Sequence, residues 1–552
     1  MEILHVEDFS FRYPEGKKDT LDSIQFQLKK GEFVLLCGLS GSGKTTLLRQ
    51  LKPTLASHGM RKGSIYYKGK SYKELTREEE VTKIGFVQQN PENQVVTDKV
   101  WHELAFGLES LGLDSQTIRL RVGEIASFFG MEDWFYKNVG ELSGGQLQMV
   151  NLASILVMQP EILLLDEPTS QLDPIAAGEF FQALKKINQE LGITILLSEH
   201  RLGDVFGLVD RVFYMDEGKI QFQGKPREFG EYLVQDPEGI AQSLPIPTQI
   251  YLGSDRRGEC PITVGEGIRW LGEFSNLEGK DFFKENRERA PFILETKEVF
   301  FRYEKEGKDV IRNVDFSAEK GKITSILGGN GAGKSTTLKL IRGLNVPSKG
   351  KILDSGKKRK NQEMPSNIAL VPQNPRSLFV KKTVKEELLE FCGDKEVGKE
   401  KMEEMISLFR LESILEHHPY DISGGEQQRL AIAKTLFQKP EILLLDEPTK
   451  GMDGQFKRIF ASVLEDLKNL GYTIIIVSHD IEFCAEVSDY CYLYFNGEVI
   501  SEGEPHEFFR GNHFYTTGAN KMCRQRNENI ITVQEAMEWI QREGERYEDG
   551  SK

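Results

Sequence analysis

The sequence predicts an α/β chain built from two tandem copies of one domain, each a largely parallel sheet flanked by helices. Three observations predict it. The chain repeats itself: FSFRYPEGKKDTLDSIQFQLKKGEFVLLCGLSGSGKTTLLRQL from Phe9 matches VFFRYEKEGKDVIRNVDFSAEKGKITSILGGNGAGKSTTLKLI from Val299. Within each copy, short apolar runs such as Phe33–Cys37 and Ile162–Leu165 alternate with helical stripes such as Phe180, Leu184, Ile187 and Leu191. Each copy also carries a glycine-rich loop between an apolar strand and a helix.

Those loops come first along each copy. Gly38-Leu-Ser-Gly-Ser-Gly43-Lys44-Thr45 follows Phe33–Cys37 and opens TTLLRQL. Gly328-Gly-Asn-Gly-Ala-Gly333-Lys334-Ser335 follows Ile323–Leu327 and opens STTLKLI. Both fit G-x-x-x-x-G-K-[ST], in which glycines let backbone N–H groups converge on phosphate oxygens at a helix N-terminus. The loops assign nucleotide phosphates to Gly38, Ser40, Gly41, Gly43 and Thr46, and to Gly328, Asn330, Gly331, Gly333 and Thr336. Lys44 and Lys334 reach the β- and γ-phosphates, and Thr45 and Ser335 offer a hydroxyl to Mg²⁺.

The match continues through VQQNPENQ and VPQNPRS, then ELSGGQLQMV and DISGGEQQRL, then EILLLDEPTSQLD and EILLLDEPTKGMD. Four apolar residues place Asp166 and Asp446 at the carboxyl end of a buried strand, where ligands of such sheets bind. An aspartate there can hold Mg²⁺ through water. Glu167 and Glu447 then lie where a carboxylate polarises attacking water. Pro174 after Asp173 suits a first helical position. His200 and His479 end the strands ITILLSEH and TIIIVSHD. A lone histidine is more often structural, but its recurrence at nearly the same distance from both glutamates favours a γ-phosphate sensor.

Composition narrows the class. The 552 residues are 39% hydrophobic and 28% charged, a globular profile with material for two to four domains. The net charge of −14 opposes a nucleic-acid binder that works through its overall field. No apolar run approaches a membrane helix, and MEILHVEDFSFRYP has no signal-peptide pattern. The six cysteines form no Cys-x-x-Cys pair, as expected of reduced cytosolic thiols.

Together these motifs resemble the ATP-binding cassette (ABC) ATPases, over nearly all of both copies. LSGGQ at Leu142–Gln146 and ISGGE at Ile422–Glu426 resemble the family signature, which works in trans. The resemblance implies cassettes facing head to tail, with ATP and Mg²⁺ as ligands. Lys44, Gln89, Glu167 and His200 would share one ATP with Ser423 and Gly425. Lys334, Gln373, Glu447 and His479 would share the other with Ser143 and Gly145. It also implies that Gln89 and Gln373 touch Mg²⁺ and sense a membrane subunit, and that Asp173 and Asp453 cross the interface. Tyr13 and Tyr303 match the aromatic that stacks on adenine; a core tyrosine is the competing reading.

QNPENQVVTDKVWHELAFGLESLGL, from Gln89 to Leu113, looks like the ATPases of energy-coupling factor importers of vitamins and transition-metal ions. SEHR and EPTKGMD point the same way. Those importers usually use two ATPase chains, and this chain resembles a fused pair. The resemblance implies two membrane partners, a transmembrane scaffold and a small substrate-capture protein, with this chain peripheral on the cytoplasmic face. Met149 departs from the usual basic residue, present as Arg429 in the second copy, and puts equal turnover in doubt.

The expected organisation is a first cassette over 1–235, an appendage and linker over 236–290, a second cassette over 291–510 and a C-terminal appendage over 511–552. ITVGEGIRWL (Ile262–Leu271) echoes ITVQEAMEWI (Ile531–Ile540), so each copy carries a tail. The helix VQEAMEWIQREGER shows a packing stripe of Val533, Met537 and Ile540. Lys357-Lys-Arg-Lys360 reads as a solvated turn. The rival function is a soluble tandem ABC ATPase acting on ribosomes, which predicts a long basic helical segment between the cassettes. SLPIPTQIYLGSDRRGECPITVGEG, broken by proline and glycine, does not fit it. A DNA-repair ATPase of this class would need zinc cysteines or long coiled coils, which the sequence lacks.

Overall fold

The computed structural model describes residues 1–14, 16–235, 240–254, 258–274, 290–360, 363–390 and 396–549. The chain forms two units, Met1–Leu252 with Glu259–Thr263, and Gly253–Gly258 with Val264–Lys552. Arg289, just before the boundary expected at 290/291, lies outside the described residues, as does Cys392.

The first unit holds a six-stranded sheet in the order Lys219–Gly224, Arg211–Asp216, Phe33–Cys37, Thr194–Ser198, Ile162–Asp166 and Ile84–Val87. All neighbours are parallel except the outermost pair, Lys219–Gly224 on Arg211–Asp216. Strands covered on both faces need continuous apolar runs. FVLLC, ILLLD and TILLS are buried at every position. Replacing Leu164 with Ala in this core should cost ~2–5 kcal/mol.

A four-stranded antiparallel sheet, Leu21–Lys29, Glu2–Arg12, Met60–Tyr67 and Lys70–Ser71, shares a core with one face of this sheet through Leu4, Phe11, Leu28 and Leu164. Helices Val100–Ser110, Ser115–Phe128 and Gly144–Leu156 build a separate core of Leu104, Leu108, Val122 and Val150. The helix Pro174–Leu191 has the bounds its stripe predicts: Asp173 caps its start, and Gly192 ends it in the left-handed region.

The second unit repeats the six-stranded order with Glu498–Gly503, Tyr490–Phe495, Ile323–Gly328, Thr473–Val477, Ile442–Asp446 and Ile368–Val371. Its antiparallel sheet is Ile311–Glu319, Phe292–Phe301, Lys349–Asp354 and Lys357–Lys358. The tail echo is also visible in structure, as helices Val264–Gly272 and Val533–Asp549. Val264–Gly272 belongs to the second unit, where it packs on helix Gly518–Cys523. Arg526 Nη1 donates to the Phe274 carbonyl at 2.5 Å.

Two readings need correction. The helix starting at Val533 buries Ala536, Trp539 and Ile540, while Val533 and Met537 are only half-buried, so its inner face is rotated from the expected stripe. The basic run is not a solvated turn throughout. Arg359 is buried, with Nε 2.7 Å from Asp354 Oδ2 and Nη1 donating to the Ile341 carbonyl. That carbonyl lies in the last turn of helix Lys334–Arg342, where a cation is favourable. No helix among the described residues is long and apolar enough to cross a membrane.

Candidate functional site

Sheet order assembles the site. In each unit the phosphate-loop strand, the histidine strand and the aspartate strand are consecutive parallel neighbours. Their carboxyl ends therefore deliver the loop, the histidine and the two acids to one place. Gly38 and Gly328 make the sharp exit from their strands possible. A Cβ on Gly38 would lie 2.1 Å from the Met215 carbonyl oxygen, and one on Gly328 would lie 2.4 Å from that of Tyr494. The helices that follow run Lys44–Gln50 and Lys334–Arg342, each preceded by a left-handed glycine, Gly43 or Gly333. Ser40 and Gly41, like Asn330 and Gly331, lie exposed at the loop crests.

Lys44 and Lys334 are buried and turn back over their own loops. Lys44 Nζ donates to the carbonyls of Gly38 and Leu39 at 2.8 and 3.0 Å. Lys334 does the same to Gly328 and Gly329 at 2.8 and 3.0 Å. Thr45 Oγ1 donates to Asp166 Oδ1 at 3.0 Å, and Ser335 Oγ to Asp446 Oδ1 at 2.8 Å. A hydroxyl beside a carboxylate is an all-oxygen donor set that fits Mg²⁺. Burial raises both aspartates above their ordinary value. For Asp166 the charge of Glu167 adds to this and bonds from Thr45 and Ser198 oppose it. For Asp446 the Ser335 bond opposes it and the Glu447 charge adds to it.

Glu167 and Glu447 stand one residue past their strands with φ of 44° and 51°, the left-handed region a side chain rarely enters. Such strain persists only where the surroundings impose it, and it clusters at functional sites. Both backbones are tied down by the neighbouring strand, through Glu167 N–H to the Ser198 carbonyl and Glu447 N–H to that of Val477. His200 Nε2 lies 2.7 Å from Glu167 Oε1, and Gln89 Nε2 donates to Glu167 Oε2 at 2.9 Å. Burial pushes the Glu167 carboxyl up, but the His200 bond and the charges of His200 and Lys44 outweigh it and hold it below its ordinary value.

The second site differs in detail. His479 Nδ1 lies 2.9 Å from Glu447 Oε2 but off the line a hydrogen bond needs, while the His479 N–H donates to that oxygen at 3.3 Å. Lys334 Nζ is 3.7 Å from Glu447 Oε1. Gln373 is exposed and makes no hydrogen bond among the described residues.

Tyr13 and Tyr303 donate to or accept from Thr46 and Thr336 at 3.1 Å, and each packs edge-on against a strand phenylalanine, Phe11 or Phe301. Tyr13 is half-buried and Tyr303 exposed, so each carries a face beside its phosphate loop. Ser143 and Ser423 cap the helices Gly144–Leu156 and Gly424–Leu436, with Gln146 and Glu426 completing capping boxes. Gly145 and Gly425 allow those helices to press on the segments that Asp173 and Asp453 cap; an added Cβ would lie 2.9 Å from Ala176 and 3.1 Å from Phe456.

Sequence reasoning missed Ser198 and Glu199. The Ser198 hydroxyl donates to Asp166 Oδ1 at 3.0 Å and accepts from the Glu167 N–H at 3.1 Å. Glu199 is buried behind His200. The available signal was the mismatch between SEH and VSH in the two copies.

An ABC transporter family model matches residues 21–170 and 311–450. A putative ABC transporter ATP-binding protein of Bacillus cereus is 42% identical over 543 residues, covering 97% of this chain and 98% of that one. A putative HMP/thiamine import ATP-binding protein of Bacillus subtilis is 31% identical over 516 residues, covering 92% of each. An archaeal ribosome recycling factor, solved with a ribosomal stalk protein, superposes with a TM-score of 0.58 over 91% of each chain at 20% identity, a likeness of fold alone.

Proposed function

The chain belongs to the ABC transporter family and is an ATPase using ATP and Mg²⁺, and from that premise we propose that it powers a membrane importer of the energy-coupling factor type. The cargo class is a vitamin, a vitamin precursor or a transition-metal ion. The observation that carries this reading is the likeness, over 92% of each chain, to a relative named for putative HMP/thiamine import. Its partners are a transmembrane scaffold and a small membrane protein that captures substrate, and the chain sits peripherally on the cytoplasmic face.

The residues divide the work as follows. Backbone N–H groups of the loops Gly38–Lys44 and Gly328–Lys334 cradle the phosphates, with Lys44 and Lys334 swinging from their carbonyls to the β- and γ-oxygens. Thr45 with Asp166, and Ser335 with Asp446, would hold Mg²⁺, which would neutralise phosphate charge when bound, and Gln89 and Gln373 would touch it. Glu167 and Glu447 polarise the water that attacks the γ-phosphorus as the bond to the β-bridging oxygen breaks. His200 and His479 hold the glutamates and read the γ-phosphate. Tyr13 and Tyr303 stack on adenine. The signature residues Ser423 and Gly425 close the first site, and Ser143 and Gly145 the second, with Asp173 and Asp453 crossing between them. Binding closes the halves and release reopens them, a motion passed to the scaffold near Gln89 and Gln373.

Co-purification from membranes tests the proposal. The expected result is recovery of two integral membrane proteins with the chain. Recovery of ribosomes and no membrane protein would instead support the rival translation function.

A further inference from the structure

The first unit contains a buried acid that the hydrolytic mechanism does not use. Glu199 is 2% exposed and lies between the end of strand Thr194–Ser198 and His200. Its Oε1 accepts from the Thr169 N–H at 3.1 Å and from the Thr169 hydroxyl at 2.7 Å. Its Oε2 accepts from the His200 N–H at 3.2 Å. Thr169 belongs to the turn that runs from Glu167 to Asp173. One carboxylate therefore joins the histidine loop to the segment between the water-polarising acid and the interface aspartate. Arg201 adds a bond in the same direction, Nη1 to the Leu172 carbonyl at 3.3 Å.

Folding alone does not require this acid. Ser198 faces Asp166 in the ladder as Val477 faces Asp446, so Ser478 occupies the Glu199 position in the second unit. Ser478 Oγ accepts from the Asp480 N–H at 3.0 Å, a bond within its own loop. There the histidine loop is tied further along, by Lys457 to Asp480 at 2.5 Å. Burying a carboxylate beside Glu167 is costly unless its acceptors are filled, and Glu199 has three donors converging on it. Burial raises its carboxyl, the Thr169 hydroxyl opposes that, and the Glu167 charge adds to it.

We propose that Glu199 is a positioning residue that locks the His200 loop to the Thr169–Asp173 turn, so that at the first site His200, Glu167 and Asp173 shift together as nucleotide binds and leaves. The second site ties its histidine loop by other groups, the His479 N–H on Glu447 and Lys457 on Asp480, and lacks this carboxylate bridge. The inference rests on the reading that the first site hydrolyses ATP.

The test uses the full chain carrying Glu447→Gln, so that turnover reports the first site. Into it go Glu199→Ser, the second unit's own residue, and Glu199→Gln, which keeps acceptors for Thr169 but loses the one for His200. The expected result is a fall in kcat of about tenfold or more for Ser and about threefold for Gln, with KM and affinity for adenylyl imidodiphosphate within about twofold. Unchanged kcat in the Ser variant overturns the proposal. So does a parallel fall of kcat and affinity, which a merely structural role gives. Amide exchange, measured in the otherwise wild-type chain with and without adenylyl imidodiphosphate, judges it independently of turnover. Wild type should gain protection in 166–173 and 198–205 together, and Glu199→Ser in only one of them; joint protection in both proteins overturns the lock. A silent Glu447→Gln parent would count against hydrolysis at the first site, and the exchange result would still decide the role of Glu199.

Discussion

The two phosphate sites share a fold, a loop, an acid and a histidine, yet they hold the acid differently. In the first, Glu167 receives bonds from Gln89 and His200, and Ser198 bridges its backbone to Asp166. In the second, Glu447 meets His479 off-line and draws on Lys334, while valine stands in place of the bridging serine. The signature helices differ as well. The first presents neutral Gln146 with Met149, and the second presents Glu426 with a buried Arg429 whose guanidinium lies 5.4 Å from the Phe456 ring. Duplication has thus preserved the loop, the acid and the histidine while the side chains around them diverged.

The largest expected effect removes what the sites have in common. The double variant Glu167→Gln, Glu447→Gln should lose turnover by ~10²–10⁴-fold in an ATPase assay while still binding nucleotide. Converting the first site toward the second is milder. Ser198→Val should reduce first-site kcat by about three- to tenfold, measured with Glu447→Gln. A change below twofold would remove the serine bridge from the comparison.

Stability separates the acids by sign. Asp166 is raised in the fold, so its contribution is favourable below its unfolded value near ~3.9 and is lost as pH rises through the folded value. Asp166→Asn, which removes the buried ionisable group, should raise the melting temperature of the nucleotide-free chain more at high pH than at low pH, while abolishing activity. Glu167 is lowered, so its contribution is present above the unfolded value and lost as pH falls through the folded one. A lower melting temperature for Asp166→Asn would contradict this assignment. The smallest effect concerns the signature. Glu426→Gln, which matches it to the first copy and can keep the capping box, should lower turnover by no more than about twofold in an ATPase assay.

Much of this was legible in sequence because it is local. The G-x-x-x-x-G-K loops, the apolar runs ending at Asp166 and Asp446, and the stripe of Pro174–Leu191 are written in consecutive residues, and the structure places them as read. What escaped depends on partners distant along the chain. Ser198 reaches Asp166 only because sheet order makes their strands neighbours. Arg359 is buried because the end of helix Lys334–Arg342 needs a cation, which no inspection of KKRK reveals. The left-handed glutamates are backbone states imposed by the surrounding fold. The helix Val264–Gly272 joins the second unit, a choice its own periodicity does not encode.

Both halves carry the glutamate and the histidine, so both are expected to hydrolyse ATP. The turnover of the purified chain carrying Glu167→Gln or Glu447→Gln alone decides it. Each single variant should lose about half of the turnover or more, because each removes one carboxylate proposed to polarise water. Full activity in either one would contradict the claim and leave the chain with a single working site.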